Sequence, residues 1–148
     1  MTATLADAVA ALERRYPLGT AESWDAVGLV TGDPAQSVRR VMFAVDPVAA
    51  VADEAVAWGA DLLVTHHPLF LRAVHGVPAT TFKGAVLHRL VRAGVALWNG
   101  HTNADVAQGG VAEALAEAIG LVDLVPLVAV PAAPVDKVVG MVPARHAE

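Results

Sequence analysis

From Val38 onward the chain repeats one unit, an apolar strand-like run followed by an amphipathic helical run, and this repetition limits the fold more than any other feature. Residues 38–45 read as strand, 48–58 as helix, 61–65 as strand, 80–93 as helix and 95–99 as strand. In the run 80–93, Phe82, Val86 and Leu90 lie four apart with Leu87 and Val91 beside them, while Lys83, His88, Arg89 and Arg92 fall on the other side and read as a solvated face. A further helix over 111–119 sets Val111, Leu115 and Ile119 against Glu113 and Glu117 and ends at the cap residue Gly120. Helical connections of this length join parallel strands by right-handed crossovers. The expected fold is α/β, a mixed, largely parallel sheet flanked by helices.

Upstream, Leu5, Val9, Leu12 and Tyr16 form one apolar stripe with Asp7, Glu13 and Arg14 off it, so a first helix is expected before Pro17 and Gly19. Runs 27–31 and 38–45, separated by Gly32-Asp33-Pro34, read as a hairpin or adjacent strands. Beyond Gly120 the apolar stretch 121–135 is broken by Pro126, Pro131 and Pro134, which predicts an extended connection with a short strand. Residues 137–142 are strand-like, Pro143 is placed to open a helix, and the ending at Glu148 reads as truncated.

Composition narrows the chemistry. There is no cysteine, so disulfides, thiolate catalysis and sulfur-ligated metals are excluded, and any ion must be held by imidazole nitrogen and carboxylate oxygen. The net charge is −5, with no basic cluster, which argues against a nucleic-acid surface. Charged residues interrupt every apolar run before the ~18 residues a bilayer span requires. The first fifteen residues carry Asp7 and Glu13 and no basic start, the wrong charge order for a secretory leader, so a cytoplasmic protein is expected.

In an open parallel sheet the carboxyl ends of the strands share one edge, where such folds place ligands. Here the successive strands end at Asp46, at His66-His67 and at Asn99 with His101 and Asp105 just beyond, and no Lys or Arg is interleaved to repel a cation. Neighbouring imidazoles that point to opposite faces within a strand can splay toward two nearby points where the chain leaves it, and Pro68 helps to fix that exit. One histidine per ion suits two ions ~3.5 to 4 Å apart. The competing account makes one histidine a cap and the other a surface residue. Asp105 is a candidate ligand or an Asx-turn residue, and His101 a ligand, a supporting group or a proton carrier. Gly109-Gly110 opens the helix at Val111, whose N–H groups could receive an anion such as phosphate. In Trp24-Asp25-Ala26-Val27-Gly28-Leu29, Asp25 either lines the pocket or satisfies the turn. His75, His88 and His146 read as surface residues.

Taken together, Ala21-Glu22-Ser23-Trp24-Asp25-Ala26-Val27-Gly28-Leu29, Leu63-Val64-Thr65-His66-His67-Pro68-Leu69 and His101-Thr102-Asn103-Ala104-Asp105 with Gly109-Gly110-Val111 resemble the Nif-three-like family, also called GTP cyclohydrolase 1 type 2 homologues or dinuclear metal centre proteins. The resemblance implies a two-metal centre, a hexameric homo-oligomer and a metal-dependent hydrolase whose substrate is unsettled, a phosphate-bearing small molecule such as GTP being suggested only by the family's label; imidazole and carboxylate donors accept divalent Zn, Fe, Mn, Ni or Co. It implies His66, His67 and Asp105 as metal ligands, with His101 behind the ligands or in the substrate pocket; Asp25, like His101, is a candidate to relay protons from behind the ligands. Ala26 stands where the family commonly has Asn. The family completes its site with a His and a Glu four apart that this sequence does not show, since His146 and Glu148 have another spacing. Residues 137–148 resemble the start of the family's inserted middle domain. The expected organisation is therefore a metal-binding domain over 1–130, then a linker and the beginning of a second domain over 131–148, with half of a dinuclear site. The alternative function is a non-catalytic oligomeric scaffold that binds metal. A metallophosphoesterase is disfavoured, because Asn99-Gly100-His101 has the wrong order for that class.

Overall fold

A computed structural model describes residues 2–126 and 128. In chain order the elements are β1 (Ala3–Thr4), α1 (Leu5–Arg15), a 3-10 turn (Leu18–Thr20), β2 (Gly28–Thr31), β3 (Ser37–Val38), β4 (Val41–Ala44), α2 (Ala49–Trp58), β5 (Leu62–Thr65), α3 (Phe82–Arg92), β6 (Ala96–Asn99), α4 (Thr102–Val106) and α5 (Val111–Ala118). Helix α1 opens on a reciprocal cap: the Asp7 N–H donates to the Thr4 hydroxyl at 3.2 Å, and the Asp7 carboxylate accepts the Thr4 N–H at 2.9 Å. Those contacts with Thr4 hold the Asp7 carboxyl below the usual carboxylate range.

The main sheet has the order β2-β6-β5-β4. Strands β4, β5 and β6 are mutually parallel, in a register that aligns Ala44, Thr65 and Asn99, whereas β2 runs antiparallel to β6. Every residue of β5 and β6 is buried, because both faces of the sheet are covered. On one face Leu62, Val64, Ala96 and Trp98 meet Leu5, Val9, Leu12 and Tyr16, the stripe expected for the first helix. On the other, Leu63 and Leu97 meet Ala52 and Ala55 of α2 and Val86 and Leu90 of α3. Strand alternation sends successive side chains to opposite faces, so two helical layers sandwich one sheet.

The stretch 27–45 forms no hairpin. Strand β2 lies at one edge of the sheet and β4 at the other, and the intervening β3 pairs with β1 in a separate two-stranded ladder. The turn after β2 folds under α1 instead, where Leu5 and Ala6 donate backbone N–H groups to the Gln36 and Pro34 carbonyls. Gly32 allows that path: it has φ +137°, and a Cβ there would lie 2.6 Å from both Ala96 Cβ and Leu5 Cδ2. The expected strand 38–45 is broken at Arg39-Arg40, whose N–H groups donate to the Asp61 carboxylate at 2.7 and 2.9 Å rather than to a ladder. Residues 121–126 carry neither helix nor strand, while the strand, helix and second domain expected over 131–148 lie outside the described residues. No helix among the described residues is long and apolar enough to cross a membrane.

Candidate metal centre

The parallel register continues past the strand ends, and that continuation assembles the site. The His66 and His67 N–H groups donate to the Ala44 and Val45 carbonyls at 3.2 and 2.9 Å, and the Gly100 N–H donates to the Thr65 carbonyl at 3.1 Å. Asp46, His66-His67 and Gly100-His101 are therefore held side by side on the carboxyl edge. The three imidazoles converge. One ring nitrogen from each of His66, His67 and His101 lies within 4.8 Å of the other two, and the ring centroids are 5.0 to 5.6 Å apart.

Each imidazole is fixed from behind by an oxygen acceptor on Nδ1. For His66 it is the Gly100 carbonyl at 3.1 Å, for His67 the Asp46 carboxylate at 2.7 Å and for His101 the Asp25 carboxylate at 2.9 Å. An acceptor at Nδ1 selects the tautomer with the proton there, which leaves the Nε2 lone pair of each ring free to bind. Gly100 is required in this arrangement, since a Cβ would come within 2.8 Å of the Trp98 ring and push the carbonyl away from His66.

Asp25 is the most constrained of these anchors. Its side chain is fully buried, and its carboxylate accepts the Ala26 N–H, His101 Nδ1–H, the Thr102 N–H and the Thr102 hydroxyl at 2.8, 2.9, 3.0 and 2.6 Å. Burial opposes ionisation, but these donors outweigh it and hold the carboxyl at about 2. Asp46, by contrast, is half-exposed beside a half-exposed His67. Buried polar side chains brace the framework: Asn99 donates to the Ala26 carbonyl at 2.8 Å and Asn103 to the Tyr16 carbonyl at 2.9 Å.

Asp105, on α4, places Oδ1 3.6 Å from His66 Nε2. That is too long for a hydrogen bond, yet two donors on one tetrahedral ion with bonds of ~2.0–2.1 Å sit ~3.3 Å apart, so the pair suits a shared cation. Asp105 approaches His66 alone, whereas His101 joins the imidazole group directly with Asp25 behind it. The start of α5 is filled by the chain itself: Glu113 accepts the Gly109 N–H, and Arg15 donates to the Gly109 carbonyl at 3.0 Å. An incoming anion there would meet the Glu113 carboxylate. His75 is exposed, but His88 is half-buried with Nε2 on the Val77 carbonyl at 2.9 Å, so it is a packed residue rather than a surface one; His146 lies outside the described residues. The sequence reading passed over Thr102 and the Gly100 carbonyl. The His-Thr spacing was the available signal for the first, while the second, a backbone atom, leaves none.

The family model described as Duf34/NIF3 (NGG1p interacting factor 3) matches residues 3–142. A Streptomyces coelicolor relative named GTP cyclohydrolase 1 type 2 homolog is 55% identical over 88% of this chain and 46% of its own length. A Mycobacterium bovis relative of the same name is 48% identical over 100% of this chain and 39% of its own. The chain thus spans less than half the length of these curated relatives. Among solved structures, a Bacillus cereus protein related to NIF3 superimposes with a TM-score of 0.78 at 32% identity, covering 83% of this chain and 34% of that one.

Proposed function

The chain belongs to the Duf34/NIF3 family, and from that premise we propose that it forms the cation-holding part of a metal-dependent hydrolase. The observation that carries this reading is the convergence of three imidazoles, each tied at Nδ1 so that its Nε2 lone pair is left free, and each with one ring nitrogen within 4.8 Å of the other two. We assign His66, His67 and His101 as ligands, Asp105 as the carboxylate ligand beside His66, and Asp25 and Asp46 as the groups that hold two of the rings in orientation. A divalent cation bound there supplies Lewis-acid polarisation of a water or a substrate oxygen. Imidazole and carboxylate donors accept Zn, Fe, Mn, Ni or Co. A dinuclear centre needs on the order of six donor positions, waters included, so these four residues hold one ion firmly and a second weakly.

The relatives' name makes GTP the first substrate to assay, and the proposed class is a small phosphate-bearing molecule whose anionic oxygens meet the metal centre rather than the start of α5. The test is metal content after gel filtration, followed by hydrolysis. The unsubstituted chain should retain divalent metal and the His66→Ala, His101→Ala double variant should lose it; equal metal in both would overturn the ligand assignment.

A second reading, a non-catalytic oligomeric scaffold, is favoured by one observation: α5 and its cap leave Val111, Leu115 and Ile119 45%, 63% and 67% exposed. Such a stripe suits contacts between copies, with a hexamer as the proposed assembly. Chelation separates the readings, since loss of assembly with no turnover supports the scaffold and loss of turnover with assembly retained supports the enzyme. A cytoplasmic location belongs to the same proposal, and fractionation of cells making the chain tests it.

A further inference from the structure

Trp24 is an exposed aromatic in contact with the imidazole cluster. Its ring meets His101 edge to face, with centroids 6.1 Å apart and planes at 81°, and His101 in turn lies 5.2 and 5.6 Å from His66 and His67. In either edge-to-face arrangement His101 leaves at least one face of the indole uncovered. Trp24 is 57% exposed, unlike Trp98, which is 1% exposed and fills the core.

The backbone that carries the indole is nonetheless fixed. The Asp25 N–H donates to the Glu22 carbonyl at 2.9 Å, closing a turn around Trp24, and the Glu22 N–H donates to the Thr102 hydroxyl at 3.0 Å. Asp25 itself is locked to His101 and Thr102. Both ends of the turn are thereby tied to the segment that carries His101. The neighbours Glu22 and Ser23 are exposed and polar, so Trp24 is a single aromatic in polar surroundings rather than part of a broad apolar face. That suits a small planar ligand better than a protein surface.

We propose that Trp24 is a specificity-determining residue beside the imidazole cluster, stacking on the planar aromatic or heteroaromatic ring of a small molecule whose donor atoms reach that cluster. This rests on the metal-centre reading above. Benzohydroxamate and acetohydroxamate test it, because they offer a metal ion the same pair of oxygens and differ in the ring. With the 148-residue chain loaded with Co2+ and followed by visible absorption, Trp24→Leu should weaken benzohydroxamate about 10-fold while acetohydroxamate stays within about 2-fold, and Trp24→Phe should keep most of the ring preference. On the Zn2+-loaded unsubstituted chain, nuclear Overhauser contacts between the benzohydroxamate ring protons and the Trp24 indole are expected. Equal losses for both probes, no loss for either, or no such contact would overturn the role of Trp24 with the metal centre left standing. Absence of any Co2+ absorption band would overturn the metal centre, and the proposal with it.

Discussion

Asp25 and His101 form the pair on which the candidate centre most depends, because a fully buried carboxylate with four donors has no freedom to turn and neither has the imidazole bonded to it. Loss of the carboxylate that orients a metal-bound histidine typically weakens metal binding by about 10- to 100-fold. Asp25→Asn is expected to lower affinity for Zn2+ by about that factor in a chelator-competition titration, with some loss of stability in urea denaturation, since the amide nitrogen faces donors where a carboxylate oxygen accepted. An unchanged affinity would mean that His101 does not hold the ion. At this scale the sequence was partly informative. His66, His67 and Asp105 stood out because acids and imidazoles gathered at strand ends without cations between them. His101 was legible as a neighbour of the histidine pair for the same reason, but the choice between ligand and supporting group was not, because it depends on ring orientations set by the Gly100 carbonyl and by Asp25.

Elements with an apolar stripe or a sustained apolar run were readable, and the shortest ones were not. Helix α1 buries Leu5 and packs Val9, Leu12 and the cap residue Tyr16, partly buried, on the same sheet face, and α3 buries Val86 and Leu90 as the pattern required. Helix α4 has five residues, too few to show a repeat. Neither the hairpin nor the adjacent pairing expected for β2 and β4 formed, because a turn signal fixes where the chain bends but not which strand it then pairs with. What ends β3 and starts β4 is Asp61, whose carboxyl is held below the ordinary range first by the N–H groups of Arg39 and Arg40 and then by their positive charge. A carboxyl lowered in the folded state stabilises it above its unfolded value, ~3.9, and that contribution is lost as pH falls through the folded value. Asp61→Asn is accordingly expected to cost about 1 kcal/mol in urea denaturation at pH 7, with the gap from the unsubstituted chain narrowing below about pH 4. A gap that widens in acid would refute the role given to Asp61.

The whole molecule has two apolar layers around one sheet and a metal-type cluster on one edge, with the exposed stripe Val111, Leu115 and Ile119 outside both layers. If that stripe joins copies of the chain, Leu115→Lys should lower the assembled mass in light scattering at micromolar concentration and leave metal content unchanged. Under the enzyme reading chelation should do the reverse, removing metal and leaving the assembled mass unchanged, whereas under the scaffold reading it should lower that mass as well. An assembly indifferent to Leu115→Lys would remove α5 from the interface.

The three anchors behind the imidazoles differ in stiffness: a main-chain oxygen for His66, a buried acid for His101, and for His67 an acid that is itself 55% exposed, on a ring that is 47% exposed. The cluster therefore has one loose side, and an ion should enter and depart there. Stopped-flow capture of released Zn2+ should show Asp46→Asn speeding departure more than it slows arrival, whereas matching effects on both rates would make the three positions equivalent. Residence time would then be set at His67, and the identity of the ion that is kept would be set at the other two.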